Sequence, residues 1–182
     1  MSGRGLVQVY TGDGKGKTSA AMGAALRAVG QGFRVCVVQF LKGGAPSAET
    51  EALEALKGQV EVFRFGRKPG AGQDSAWVDP ANPLPEDRDQ CLAALEHSKK
   101  AMNSGRYDLV VLDEVNLACA WGLVPEDDLL RLIRERPEKV ELILTGRSAP
   151  PALVAQADLV TEMLNIKHPF ERGVRARKGV ER

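Results

Sequence analysis

The chain has 182 residues, of which 43% are hydrophobic and 27% charged, an ordinary globular composition that favours one domain over residues 1–182. The net charge of +1 argues against a broad positive field, so no nucleic-acid or membrane partner is expected. Three widely spaced cysteines without a Cys-x-x-Cys pair predict reduced core thiols. No signal-like or membrane-spanning apolar run occurs, and a cytoplasmic location is therefore expected.

A glycine-rich loop at residues 11–19 separates a predicted strand (residues 6–10) from a predicted small-residue helix (residues 17–29). Such a loop leaves several backbone N–H groups free to converge on one anion, and the helix N-terminus adds positive charge. Lys17 adds a full charge, and Thr18 brings a hydroxyl where a magnesium ligand is needed. The stretch is predicted to be a phosphate-binding loop, with Thr11 in place of the usual first glycine.

The middle of the chain alternates apolar runs with helical patterns. Strands are predicted over residues 33–40 and 60–63, with a helix over residues 49–56 between them. Residues 66–85 are rich in glycine and proline and contain no clear element. Two interpretations of this stretch stay open: a substrate lid, which Trp77 favours, or a mobile insertion.

The second half continues the alternation. Helices are predicted over residues 86–104, 125–134 and 150–157, and strands over residues 107–112, 140–144 and 159–163. The sustained alternation predicts an α/β fold of the RecA-like P-loop type, with a mostly parallel sheet flanked by helices. The basic tail, residues 165–182, is expected to be solvated.

Two strands are predicted to deliver polar groups to the carboxyl edge of this sheet, where ligands of open α/β sheets bind. Asp113 and Glu114 end one strand, and Thr145-Gly146-Arg147 ends another. Adjacent acids after a buried strand are the usual companions of a phosphate loop, because one of them holds the metal or its water.

The residues alone leave the reaction open. The histidines are His97, predicted on a helix surface, and His168 in the tail, and no nucleophilic triad can be argued from the spacing. The missing Asn-Lys-x-Asp motif weakens a GTPase. A generic P-loop ATPase or kinase and a RecA-like DNA-binding ATPase remain as alternatives, and the neutral net charge disfavours the latter.

Several stretches together resemble one family along nearly the whole chain and in the same order. They are Thr11-Gly-Asp-Gly-Lys-Gly-Lys-Thr-Ser-Ala, Val37-Val-Gln-Phe-Leu-Lys-Gly, Val110-Val-Leu-Asp-Glu-Val, Leu142-Ile-Leu-Thr-Gly-Arg and Lys167-His-Pro-Phe-Glu-Arg-Gly. The chain resembles the P-loop corrinoid adenosyltransferases, which act on cob(I)alamin or cob(I)yrinic acid a,c-diamide.

The resemblance implies that cobalt(I) of a reduced corrinoid attacks the ribose C5′ of ATP and that triphosphate leaves. It also implies Mg²⁺, an electron-donating flavoprotein reductase and a homodimer. Cobalt(I) carries no proton to remove, which accounts for the scarcity of general bases.

Site roles follow from the resemblance. It implies catalytic roles for Lys17, Thr18 and Glu114 and a metal site at Thr18, Asp113 and Glu114, with Asp113 behind Glu114. The implied substrate-binding residues are Gly12, Asp13, Gly14, Lys15, Gly16, Lys17, Thr18, Ser19, Arg27, Arg147 and Trp77. Family members commonly carry a Gly-Phe-Thr-Trp-like stretch whose aromatics press on the corrinoid. This chain has Gly70-Ala-Gly-Gln-Asp-Ser-Ala-Trp77 there, which keeps Trp77 and lacks the Phe.

Overall fold

A computed structural model describes residues 3–56, 58–70, 78–177 and 179–180. Six parallel strands form one sheet in the order β3-β2-β4-β5-β1-β6. The strands are β1 (Val7–Thr11), β2 (Val35–Gln39), β3 (Val60–Arg64), β4 (Leu109–Asp113), β5 (Glu141–Thr145) and β6 (Leu159–Glu162). This architecture confirms the predicted α/β, RecA-like P-loop class.

Helices cover both faces of the sheet. They are α1 (Lys17–Gly30), α2 (Ala48–Glu54), α3 (Pro85–Asn103), α4 (Val115–Ala120), α5 (Glu126–Glu135) and α6 (Pro151–Gln156), followed by a 3-10 helix, Pro169–Arg172. Helix α1 lies close against the sheet because Ala21 and Ala25, both fully buried, have small side chains.

Strands β2 and β4 are buried on both faces, which explains their continuous apolar runs. Val35 and Val37 pack with α1 and α2, whereas Cys36 and Val38 point into the larger core on the other face. In β4, Val111 likewise packs on the side of α1 and α2, whereas the residues directly before and after it point into the larger core. A parallel strand between two helical layers has no solvated face, so it carries no polar alternation.

The structure adds one α-helix to the predicted elements. Helix α4 was not predicted, because its six residues are too few to show a helical period, and it starts directly after the left-handed Glu114 (φ 64°). Within residues 65–70 and 78–84 no helix or strand occurs, in agreement with the predicted loop. Trp77 lies outside the described residues.

The described residues include no helix with both the length and the apolar character needed to cross a membrane.

Candidate nucleotide-binding site

The carboxyl ends of four central strands meet at one edge of the sheet and enclose a cleft of about 490 Å³. The loop after β1 forms its floor, Lys42 comes from the turn after β2, and Glu114 and Arg147 follow β4 and β5. The cleft therefore combines the predicted phosphate loop with the acidic and basic groups expected at this edge. Of the predicted residues, the cleft is lined by Asp13, Gly14, Lys15, Gly16, Lys17, Thr18, Ser19, Glu114 and Arg147.

The loop depends on its glycines in two different ways. Gly12 (φ 92°) and Gly16 (φ 114°) adopt left-handed backbone conformations that L side chains rarely take. Gly14 instead permits a close approach, because a Cβ there would lie 2.6 Å from the carbonyl oxygen of Leu164. The Gly14 N–H donates to the carbonyl of Met163 at 2.7 Å, so the chain after β6 fixes the loop from one side.

The Lys17 ammonium is folded back onto its own loop. It donates to the carbonyl oxygens of Gly12 at 2.6 Å and Gly14 at 2.7 Å, and the residue is only 7% exposed. Burial lowers the pKa of Lys17, and the Glu114 carboxylate opposes this effect. The side chain thus lies at the mouth of the loop where an anion would be held, bonded to acceptors that a phosphate oxygen can replace.

Asp113 is fully buried and accepts four hydrogen bonds. Oδ1 accepts from the hydroxyls of Thr18 at 2.8 Å and Thr145 at 2.7 Å. Oδ2 accepts from Gln39 at 3.0 Å and from the Lys42 ammonium at 2.6 Å. Burial alone would raise the pKa of Asp113, but the charge and hydrogen bond of Lys42, with the two hydroxyls, hold this pKa below its ordinary value.

In the predicted metal site Asp113 stands behind Glu114, and in this structure its carboxylate is bonded to protein donors. A carboxylate has about four lone-pair positions, and protein donors fill all of them here. Asp113 therefore supports the Thr18 hydroxyl from behind, which leaves the Thr18 oxygen lone pairs free to face the cleft.

Glu114 presents its carboxylate to the cleft. Burial raises its pKa, and the neighbouring Asp113 charge raises it further. Its backbone N–H donates to Thr145 Oγ1 at 3.0 Å, which ties the acid to the end of β5. Within the described part of the chain, the carboxylate itself has no hydrogen-bond partner, so it is free to bind a cation.

Arg27 is not brought to the cleft. It lies ten residues beyond Lys17 on α1, about 15 Å along the helix axis, and lines a separate depression with Tyr10 and Glu141. This position contradicts the predicted contact between Arg27 and a phosphate held by the loop of the same chain. The sequence motif that contains Arg27 continues along α1, whereas the cleft lies only at the N-terminal end of this helix.

Sequence reasoning missed two parts of the site. The first is Lys42, which belongs to the Val-Gln-Phe-Leu-Lys-Gly stretch but received no role from the sequence. Only the strand register, which sets Gln39 opposite Asp113, shows that Lys42 lies near this acid. The tail is largely exposed, as expected, but it also lies beside the loop and lines a second cavity of about 500 Å³. Leu164, Phe170 and Val174 give this cavity apolar walls, and His168 lines both cavities.

His97 also differs from its prediction. Instead of lying on the surface, it is half-buried between α3 and the sheet, with its ring centroid 4.0 Å from that of Phe63 and 5.6 Å from that of Phe65. Burial lowers its pKa, and it lines neither of the two cavities.

Comparison with known proteins shows the family of the chain. The family model of the ATP:corrinoid adenosyltransferases BtuR/CobO/CobP matches residues 3–182. The chain belongs to this family. It is 36% identical over 178 residues to the corrinoid adenosyltransferase of Escherichia coli K12, covering 98% of this chain and 86% of that protein. The corresponding protein of Pseudomonas aeruginosa is 37% identical over 182 residues, covering 98% of this chain and 84% of that one.

A solved structure supports the fold independently. The flagellar accessory protein FlaH of Methanocaldococcus jannaschii superposes with a TM-score of 0.58 at 14% identity, covering 88% of this chain and 71% of that one. That likeness concerns the fold only. The family match identifies this adenosyltransferase as an enzyme that uses ATP to adenosylate a corrinoid.

Proposed function

We propose that this adenosyltransferase transfers the 5′-deoxyadenosyl group of ATP to cobalt(I) of a reduced corrinoid and releases inorganic triphosphate. The observation that carries the proposal is the pair of adjoining cavities, a charged phosphate cleft and an apolar-walled tail cavity, which share Gly14, Lys15 and His168. Such a pair suits a reaction in which the triphosphate is held on one side while the rest of the reactants lie beside it.

In the transfer, an electron pair of cobalt(I) forms the bond to ribose C5′. The bond between C5′ and the bridging oxygen breaks, and its electrons stay on the triphosphate. No proton is removed from the nucleophile, so the reaction requires no general base. The enzyme's tasks are to orient C5′ towards cobalt and to stabilise the negative charge that grows on the leaving group.

The residues of the cleft fit the second task. The N-terminus of α1 and the loop N–H groups other than that of Gly14 supply donors for a bound phosphate, and Lys17 exchanges its contacts with Gly12 and Gly14 for phosphate oxygens. Arg147 lines the same cleft and adds a further positive charge. Because the charge increases as the C–O bond breaks, these groups bind the transition state more tightly than ATP.

The donor set of the cleft fits Mg²⁺. The Thr18 oxygen, whose proton is directed to Asp113, and the unpartnered Glu114 carboxylate are hard oxygen ligands. Among the described residues no cluster of three or more His, Cys, Asp or Glu side chains could hold a metal by itself. This suits an ion that takes one or two protein ligands together with substrate phosphates, and bound there it would neutralise phosphate charge.

Other parts of the proposal rest on the family. They are a homodimer, a flavoprotein reductase as electron donor, and contact of Trp77 with the corrinoid. A single domain over residues 1–182 and a cytoplasmic location are proposed from the length and composition of the chain instead. Trp77→Ala tests the proposed contact with the corrinoid: transfer rates should fall when the corrinoid is supplied as cobalt(II) with an electron donor that reduces it to cobalt(I), and unchanged rates would remove the role of Trp77.

Product analysis under strictly reducing conditions tests the proposal. We expect inorganic triphosphate and a light-sensitive cobalt–carbon product in equal amounts, formed only when the reduced corrinoid is present. Orthophosphate alone would indicate an ATPase or kinase, and phosphate release stimulated by DNA would indicate a DNA-binding motor. Either result without the cobalt–carbon product would overturn the proposal.

A further inference from the structure

Lys42 lies on the opposite side of the phosphate cleft from the loop. Its ammonium donates to Asp113 Oδ2 at 2.6 Å, and its side chain is one-third exposed (33%) while Asp113 is completely buried. It lines the cleft together with Lys17 and Thr18. The Lys42 ammonium is therefore within the same cavity as the phosphate-loop lysines Lys15 and Lys17.

The backbone around Lys42 adopts a costly conformation that aims this side chain. Leu41 has φ 60°, a left-handed conformation that costs a non-glycine residue free energy. The Lys42 N–H donates to the carbonyl of Phe65 at 2.9 Å, and a Cβ on Gly43 would overlap the backbone of Gly66. The turn after β2 is thus fixed against the chain after β3, and Lys42 turns back over the edge of the sheet.

Asp113 does not depend on Lys42 alone. Thr18, Thr145 and Gln39 donate three further hydrogen bonds to it, and these remain if the ammonium moves away. The lysine side chain has a flexible four-carbon stem and three donors, so it can change acceptors at little cost. Lys17 likewise donates to protein acceptors, the carbonyls of its own loop, and can exchange them for phosphate oxygens.

We propose that Lys42 is a further phosphate-binding cation of this site, whose ammonium moves from Asp113 Oδ2 to the triphosphate oxygens when the nucleotide binds. The inference rests on the proposed function, because it assumes that the cleft holds a triphosphate. Lys42 and Lys17 then contact the leaving group from two sides, and the network around Asp113 keeps Lys42 oriented in the absence of ligand.

Calorimetric binding of inorganic triphosphate to the full chain tests the inference without any corrinoid. We expect Lys42→Met to weaken triphosphate binding by about 10- to 100-fold, the range for one charge-assisted hydrogen bond. Lys42→Arg should retain most of the affinity. Lys100→Met is the matched control, since Lys100 is an exposed residue of α3 paired with Glu96, and its affinity should equal that of the wild type.

A double variant separates phosphate binding from mere neutralisation of Asp113. If Lys42 only balances that charge, Lys42→Met combined with Asp113→Asn leaves no charge to balance and restores triphosphate affinity. We expect the double variant to stay as weak as Lys42→Met. Full rescue, or Lys42→Met affinity within twofold of the wild type, would overturn the inference.

The two proposals fail in different ways. A wild-type enzyme that forms the cobalt–carbon product while Lys42→Met binds triphosphate normally contradicts the role of Lys42 alone. A wild-type enzyme that forms no such product, while Lys42→Met binds triphosphate weakly, contradicts adenosyl transfer and supports the role of Lys42.

Discussion

Thr145 Oγ1 donates to Asp113 Oδ1 at 2.7 Å and also accepts the backbone N–H of Glu114 at 3.0 Å. One fully buried hydroxyl at the end of β5 thereby fixes both acids at the end of β4. The relationship explains why the threonine of the Thr-Gly-Arg motif belongs to the site without lining the cleft.

Thr145→Val should destabilise the protein by about 1–3 kcal/mol, because it leaves a buried N–H and a buried carboxylate oxygen each without one partner. Chemical denaturation measures the loss. Thr145→Ser keeps the hydroxyl and should cost clearly less. Equal stability of the valine variant and the wild type would show that the bridge contributes nothing.

Gly14→Ala should weaken ATP binding by about tenfold, equivalent to about 1.4 kcal/mol. The added methyl would lie 2.6 Å from the carbonyl oxygen of Leu164 and force the loop and the chain after β6 apart. Calorimetric titration with ATP measures the effect. Gly23→Ala is the control, since nothing lies within 4 Å of its Cβ in α1, and it should stabilise the helix by about 0.5–1 kcal/mol. Unchanged ATP affinity in Gly14→Ala would refute the steric argument.

Lys17→Ala should reduce the rate of adenosyl transfer by at least about 100-fold, because the leaving group loses a charge placed beside it. The fold should persist, since the contacts that are lost involve only the carbonyls of Gly12 and Gly14. Single-turnover kinetics and a thermal unfolding curve measure the two effects. Lys99→Ala is the control, because Lys99 is an exposed residue of α3 that pairs with Glu135 of α5, and this variant should behave as the wild type. Near-normal turnover of Lys17→Ala would contradict the role of Lys17 in stabilising the leaving group.

Phe170→Ala should lower kcat/KM for the transfer by roughly fivefold, equivalent to about 1 kcal/mol of lost aromatic contact. Phe170 lines the tail cavity, whereas the more exposed Ile166 lines neither cavity. Steady-state kinetics should therefore show no change for Ile166→Ala. A similar loss in both variants would mean that the tail acts by folding and not by contact with a substrate.

The buried thiols predict a specific loss of stability at alkaline pH. Burial raises the pKa of Cys36 and of Cys91 to about 12, against about 8.5 for a thiol in an unfolded chain. Between these values the unfolded state releases protons that the folded state keeps, so the free energy of unfolding falls as the pH rises. Each thiol contributes about 1.4 kcal/mol per pH unit.

Denaturation curves between pH 8 and pH 11 test this expectation. Cys91→Ala should show a shallower decline than the wild type by the contribution of one thiol, whatever its absolute stability. In the native wild type, a thiol reagent at pH 8 should leave Cys36 and Cys91 unmodified until denaturant is added. Rapid labelling of the folded enzyme would contradict the burial.

The sequence by itself determined the fold class, the phosphate loop and most of the cleft. Those features depend on residues that are close together in the sequence: a strand followed by glycines, a lysine and a helix, and apolar runs that end in acids. Alternation of strands and helices leaves a parallel sheet as the economical solution, and a parallel sheet gathers its polar strand ends at one edge. The positions of Lys17, Thr18, Glu114 and Arg147 follow from that rule.

The tertiary structure alone decided which side chains share partners across the strands. Asp113 and Lys42 are 71 residues apart, and only the register of β2 against β4 brings them together. The same holds for the chain directly after β6, whose contact with Gly14 depends on β6 lying beside β1. The tertiary structure also places Arg27 outside the cleft, because ten residues along α1 separate it from Lys17. A sequence motif does not record this distance. Pairings of this kind are set by sheet order and burial, which no local pattern in the sequence records.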